Sequence, residues 1–277
     1  MRKQKVDRTV KAYKNGAFLA SPAARTIRIL SEFLEPQSRF NKYGIYDTIV
    51  FFGSARAKPE NEVKAELRKL ESKMKSSGGP DSHIRHEFDR LMMELRLSKY
   101  YEDASELARR LTLWAKKHAK NGQFSIVSGG GPGIMEAANR GAHRAKGTSI
   151  GLNISLPFEQ KPNPYITPGL NFEFHYFFMR KLWFAYLARA LVFFPGGFGT
   201  IDELFELLTL KQTRKITKRL PIVLFGTEYW DDVLNFHSLV RWGTISRNDL
   251  KLIKFSDTVE EAYNYIVNDL KQGRKRD

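Results

Sequence analysis

The chain has 277 residues, 42% of them hydrophobic and 13% aromatic, with no cysteine and a formal net charge of +16. Such a length can bury a sizeable core, as one α/β domain or one domain with an appendage, and the composition excludes a disordered chain. Without cysteine, disulfides and thiolate chemistry are excluded.

Residues 1–47 mix charge with short apolar patches and read as an N-terminal extension packed on the main domain, weakly helical over 23–33. The basic start lacks the apolar core of a signal peptide, and no apolar run approaches the ~20 residues of a membrane span. The expected location is the cytoplasm. Residues 48–52 (TIVFF) form a buried strand that stops on Gly53-Ser54-Ala55-Arg56, the usual opening of a doubly wound sheet.

The charged stretch 58–99 has Leu and Met at helical spacing and is broken at 76–80, which predicts a helical hairpin of residues 60–75 and 83–97 inserted after the first strand. His83 and His86 within it have metal-ligand spacing but no third ligand, so they read as solvated histidines. Residues 101–117 predict a separate amphipathic helix with Ala104, Leu107, Ala108, Leu111 and Trp114 on one face. Strands are predicted at 124–127, 148–154, 170–174, 190–194, 221–225 and 252–255. Helices are predicted at 134–145, 179–189, 201–212, 230–242 and 259–270, before a basic tail at 271–277. Apolar strands alternating with helices specify a Rossmann-like, doubly wound, mostly parallel sheet covered on both faces, as one domain over 48–270.

Two glycine turns carry the chemistry. Ser128-Gly129-Gly130-Gly131-Pro132-Gly133 follows the second strong strand, with Gly131 suited to capping the next helix and Pro132 to its first position. It matches neither G-x-G-x-x-G nor a Walker A loop. The second turn, Pro195-Gly196-Gly197-Phe198-Gly199-Thr200, runs into a helix bearing Asp202 and Glu203 in its expected first turn. Turns after parallel strands share one sheet edge, so these two and Gly53-Ser54 converge on one phosphate-bearing small molecule. Thr200-x-x-Glu203 is also the capping-box pattern, and Asp202 suits the helix dipole; on the residues alone both readings stand. Arg180 at a helix start calls for an anion, ligand or acidic partner.

Taken together, GGGPGIMEAANRGA, MRK and PGGFGTIDE, preceded by FGSAR, resemble the LONELY GUY family over residues 48–225. These are the cytokinin riboside 5′-monophosphate phosphoribohydrolases, also labelled "possible lysine decarboxylase". FGSAR and YYEDASELARRL are similar to the longer bacterial members, some labelled AMP nucleosidases. The resemblance implies a homodimer or larger homo-oligomer that hydrolyses the N-glycosidic bond of a nucleoside 5′-monophosphate (AMP or an N6-modified AMP) to free base and ribose 5-phosphate. By motif position Arg180 and Glu203 correspond to the catalytic pair. Gly130, Gly131, Gly133, Gly196, Gly197, Gly199 and Thr200 correspond to the phosphate-and-ribose cradle, which Gly53 and Ser54 extend. Glu136 either binds ribose hydroxyls or orients its own helix. No metal or cofactor is needed.

Two other readings stay open. The glycine turns require only a phosphate, which also suits a non-catalytic nucleotide or cofactor carrier. The +16 charge attracts polyanions, but it is spread along the chain without a nucleic-acid-binding signature, so a solvated basic surface is preferred.

Overall fold

In the computed structural model residues 9–76, 82–118, 124–157 and 161–273 are described. The helix bounds are α1 Gly16–Ala20, α2 Arg25–Lys42, α3 Glu60–Ser76, α4 Ser82–His118, α5 Ile134–Arg144, α6 Phe177–Tyr186, α7 Phe198–Gln212, α8 Thr227–Val233, α9 Phe236–Arg241 and α10 Val259–Gly273. The strands are β1 Asp47–Phe52, β2 Phe124–Ser128, β3 Ser149–Ile154, β4 Asn171–Phe174, β5 Ala188–Phe193, β6 Ile222–Phe225 and β7 Ile253–Ser256. Among the described residues they form one seven-stranded sheet in the order β4-β3-β2-β1-β5-β6-β7. Every pairing is parallel. The expected doubly wound architecture is therefore present, and the order of strands reverses between β1 and β5.

The side-chain alternation of β1 shows how both faces are filled. Ile49 and Phe51 pack with Leu107, Leu111 and Trp114 of α4, Ala137 of α5 and Ile266 of α10. Val50 and Phe52 pack on the opposite face with Phe40 of α2, Trp183 of α6, Leu204 of α7 and Trp230 of α8. A strand buried on both sides must be apolar throughout, which is why these segments read so plainly in the sequence.

Four expectations need correction. The helices predicted at 83–97 and 101–117 are one helix, α4, of 37 residues. Nothing between Leu97 and Tyr101 breaks it, since neither Gly nor Pro intervenes and the Ser98 hydroxyl donates to the Leu95 carbonyl at 2.7 Å. The insertion is thus α3 laid against an outward continuation of a core helix, closed by Val63, Leu67, Leu70 and Leu91. The helix predicted at 230–242 is instead α8 and α9, parted at Leu234 in extended conformation (φ −132°, ψ 112°). The side chain of Asn235 then starts α9 by accepting from the Ser238 N–H at 2.8 Å. The helix predicted at 179–189 is α6, displaced toward the N-terminus, and Arg189 belongs to β5. The weak helix at 23–33 is the 18-residue α2, with Pro36 buried within it. Residues 77–80 of the predicted break and 274–277 of the predicted tail lie outside the described residues, as do 1–8.

Candidate active site

The turns after β1, β2 and β5 interlock at the carboxyl edge of the sheet, beside the point where strand order reverses. The Ser54 N–H donates to the Pro195 carbonyl at 2.9 Å, and the Ser54 carbonyl accepts from the Ile134 N–H at 3.0 Å. Side chains are excluded where the turns cross. A Cβ on Gly133 (φ +73°) would stand 2.2 Å from the Ser54 carbonyl oxygen. One on Gly196 would stand 2.2 Å from Thr200 Oγ1 and 2.9 Å from the Ser54 nitrogen. Gly197 and Gly199, by contrast, are exposed and would meet nothing within 4 Å.

A cleft of about 750 Å³ opens over these turns. Gly53, Ser54, Arg180, Gly196, Gly197, Gly199, Thr200 and Glu203 all line it. Gly130, Gly131, Gly133 and Glu136 are not in its wall, where Gly129 and Met135 stand instead. The reason is visible beneath the turn. Asn163 Nδ2 donates to the Gly130 and Gly131 carbonyls, at 3.0 Å each, and to Asn139 Oδ1 at 2.9 Å. Asn139 Oδ1 also accepts from the Ser128 hydroxyl at 2.6 Å. This buried, bonded network holds Gly130 and Gly131 beneath the turn, leaving Gly129 at the cleft. Gly133, not Gly131, is the residue that precedes α5. The Glu136 carboxylate accepts the Tyr101 hydroxyl at 2.8 Å, which gives it a partner within the fold rather than a place in the cleft wall.

The capping-box reading of Thr200 and Glu203 fails. The N-cap of α7 is Gly197 and no side chain caps the helix, so Thr200 is already its third residue. The Thr200 N–H donates to the Gly197 carbonyl at 3.0 Å, whereas the amides of Gly197, Phe198 and Gly199 find no partner among the described residues and open at this exposed corner. Asp202 is not a dipole partner either. Lys181 Nζ holds it at 2.8 Å and Glu206 at 2.7 Å.

Glu203 is left as a buried carboxylate, 4% exposed. Its Oε1 lies 3.7 Å from Arg180 Nη2, an ionic contact too long for a hydrogen bond. Neither Glu203 Oε1 nor Arg180 Nε has a hydrogen-bond partner among the described residues. Arg180 is clasped between the Phe177 and Phe184 rings, whose centroids are 5.3 and 5.6 Å from its guanidinium carbon. Burial pushes the Glu203 carboxyl up to about 7, against the opposing pull of Arg180 and Lys181. Burial lowers Arg180 from its ordinary value. The acidic partner expected for Arg180 is thus Glu203.

Three further wall residues carried no decisive sequence signal. Arg56, exposed at the cleft, comes from the FGSAR segment. Asn153 of β3 lines the cleft and is fixed by its bonds to Asn171 Oδ1 (2.6 Å) and the Phe172 carbonyl (3.0 Å). Tyr229 donates its hydroxyl to the Gly196 carbonyl at 2.6 Å. Much of the remaining wall is apolar, including Phe52, Leu97, Ile154, Leu156 and Phe184. Among the described residues no three His, Cys, Asp or Glu side chains group to hold a metal ion. His83 and His86 are exposed. No helix of the described residues is long and apolar enough to cross a membrane.

Residues 135–266 match the family model described as "Possible lysine decarboxylase". A curated relative, the probable cytokinin riboside 5′-monophosphate phosphoribohydrolase of Oryza sativa subsp. japonica, is 29% identical over 140 residues. Both matches support the LONELY GUY family. The second spans 49% of this chain and 55% of that relative, so the chain matches about half of the relative's length. Among solved structures, a structural-genomics X-ray structure aligns with 80% of this chain and 99% of its own, at 22% identity and a TM-score of 0.47. A molybdenum cofactor binding protein from Rippkaea orientalis aligns with 80% of this chain and 95% of its own, at 14% identity and a TM-score of 0.46.

Proposed function

We propose that this LONELY GUY-type chain hydrolyses the N-glycosidic bond of a nucleoside 5′-monophosphate, AMP or an N6-modified AMP, releasing the free base and ribose 5-phosphate. The observation that carries the reading is Glu203: a buried carboxylate with an unbonded oxygen, facing Arg180 in a cleft beside an uncapped helix N-terminus. In this reading the 5′-phosphate meets the free amides at Gly197, Phe198 and Gly199, with Thr200 and Ser54 alongside. The same contact holds C1′ against Glu203.

As the C1′–N bond breaks, its electron pair leaves with the base and positive charge grows on the sugar. The Glu203 carboxylate stabilises that charge and takes the proton of the water whose oxygen bonds to C1′. The departing base takes a proton from solvent, and Glu203 then returns the proton it took from water to solvent, so that one water is consumed in all. Arg180 favours the ionised form of Glu203 and orients it. The apolar wall shields the base side of the cleft from solvent. A homodimer or larger assembly belongs to the same proposal, supported by the exposed stripe Phe178, Leu182 and Tyr186 along α6.

The test is a panel of AMP, GMP, CMP and N6-prenylated AMP incubated with the folded protein, with released base followed by chromatography. Release from at least one is expected. No release from any of them would end the proposal. Tight AMP binding without turnover, unaffected by Glu203→Gln, would instead describe a non-catalytic carrier.

A further inference from the structure

A carboxylate of the N-terminal segment meets the backbone at the entrance of α6. Glu32, half-buried on α2, accepts the His175 N–H on Oε1 at 2.8 Å and the Tyr176 N–H on Oε2 at 3.2 Å. Its own carbonyl accepts the indole N–H of Trp183 at 3.1 Å. The next residue, Phe33, stacks its ring on Trp183 with centroids 5.6 Å apart. These contacts bracket α6: His175 and Tyr176 precede it, and Trp183 lies in its second turn. Tyr176, the N-cap residue, makes no side-chain cap of its own. Glu32 thus meets the amides just ahead of α6 from a different element, with its negative charge at the positive end of the helix.

Two successive amides on two oxygens of one carboxylate fix both the position and the rotation of a helix entrance. Arg180 is the fourth residue of α6, and its partner Glu203 stands on another helix, so their alignment depends on how α6 is set. A side-chain tip lies ~5–6 Å from a helix axis, so a rotation of ~10° displaces it by about 1 Å. Displacements of that size at a reacting centre cost up to ~100-fold in rate.

We infer that Glu32 is a positioning residue, holding α6 from the N-terminal extension so that Arg180 meets Glu203 in the cleft. The kinetic arm of its test rests on the hydrolase reading; the spectroscopic arm does not. In the first arm, Glu32→Ala, Glu32→Gln, Arg180→Ala and Glu32→Ala with Arg180→Ala are compared for base release, on protein verified as folded. Glu32→Ala is expected to lower kcat about tenfold, and Glu32→Gln, which keeps one acceptor oxygen, less. In the Arg180→Ala background the Glu32 substitution should add almost nothing, because its effect passes through Arg180. Equal losses in both backgrounds would reduce Glu32 to a structural contact and overturn the inference.

Arg39→Ala is the control, since Arg39 bonds the Gly169 and Asn171 carbonyls without touching α6. The second arm follows the Arg180 Nε–H resonance by NMR, assigned by its loss in Arg180→Lys. It should move in Glu32→Gln and stay in Arg39→Ala. An unmoved resonance in Glu32→Gln would overturn the inference even if wild type releases base. Absence of base release from wild type would overturn only the hydrolase reading.

Discussion

Replacing Glu203 with Gln removes a charge from a buried site while keeping its shape, and the consequence for stability follows from the local electrostatics. Burial raises the carboxyl from its ordinary value of 4.5 to about 7. A group raised in the folded state contributes stability that is fully present below its unfolded value and is lost as pH rises through the folded value. The window is therefore pH 4.5 to 7, and the loss across it is ~3 kcal/mol. In a chain of this size that corresponds to a Tm change of about 5–10 °C. Glu203→Gln has no such group to titrate. Its Tm should fall less between pH 5 and pH 8 than that of wild type, by up to about 5–10 °C. The ~3 kcal/mol is a ceiling, because Gln leaves Arg180 without its counter-charge and offsets part of the gain at high pH. Thermal melts of both proteins at pH 5, 6, 7 and 8 read this directly. Parallel Tm–pH curves would mean that Glu203 is not held in this desolvated, hydrogen-bond-poor setting.

The same carboxylate sets the pH dependence of turnover. If ionised Glu203 acts on the water, kcat/KM should rise with pH and level off above an acid limb near 7, and a limb near 4.5 in the pH–rate profile would contradict this. Gly133→Ala and Gly197→Ala should separate packing glycines from open ones. The first forces a Cβ to within 2.2 Å of the Ser54 carbonyl oxygen at φ +73° and should lower stability by at least ~1–3 kcal/mol. The second meets nothing within 4 Å and should melt within about 1 °C of wild type while weakening AMP binding in titrations. Tyr229→Phe deletes the hydroxyl bond to the Gly196 carbonyl and should lower kcat/KM about fivefold, equivalent to ~1 kcal/mol. An unchanged value would remove Tyr229 from holding the turn.

Fold and site were legible to different depths. The doubly buried strands announced themselves as continuous apolar runs, and β1, β5 and β6 appear where TIVFF, ALVFF and PIVLF stand. The glycine turns were legible as motifs but not as partners. Spacing alone does not reveal that Asn139 and Asn163 hold Gly130 and Gly131 beneath the turn, because that network joins residues up to 33 positions apart. Thr200 and Glu203 mimic a capping box because glycines do not signal a helix, so the sequence suggests a start only after Gly199. The chain in fact turns helical at Phe198, and Glu203 is carried past the first turn into the interior. Glu32 had no motif at all: its partners lie 143 and 144 residues away, and nothing in its neighbours distinguishes it from a solvated helix carboxylate.

The role of Glu203 is tested by comparing wild type and Glu203→Gln with a nucleoside 5′-monophosphate that supports turnover, measuring free base, ribose 5-phosphate and nucleotide affinity together. Wild type should release base and ribose 5-phosphate in equal amounts. In the variant, release should fall ~10²–10⁴-fold while affinity for the nucleotide is retained. A variant that binds and turns over like wild type would contradict that role.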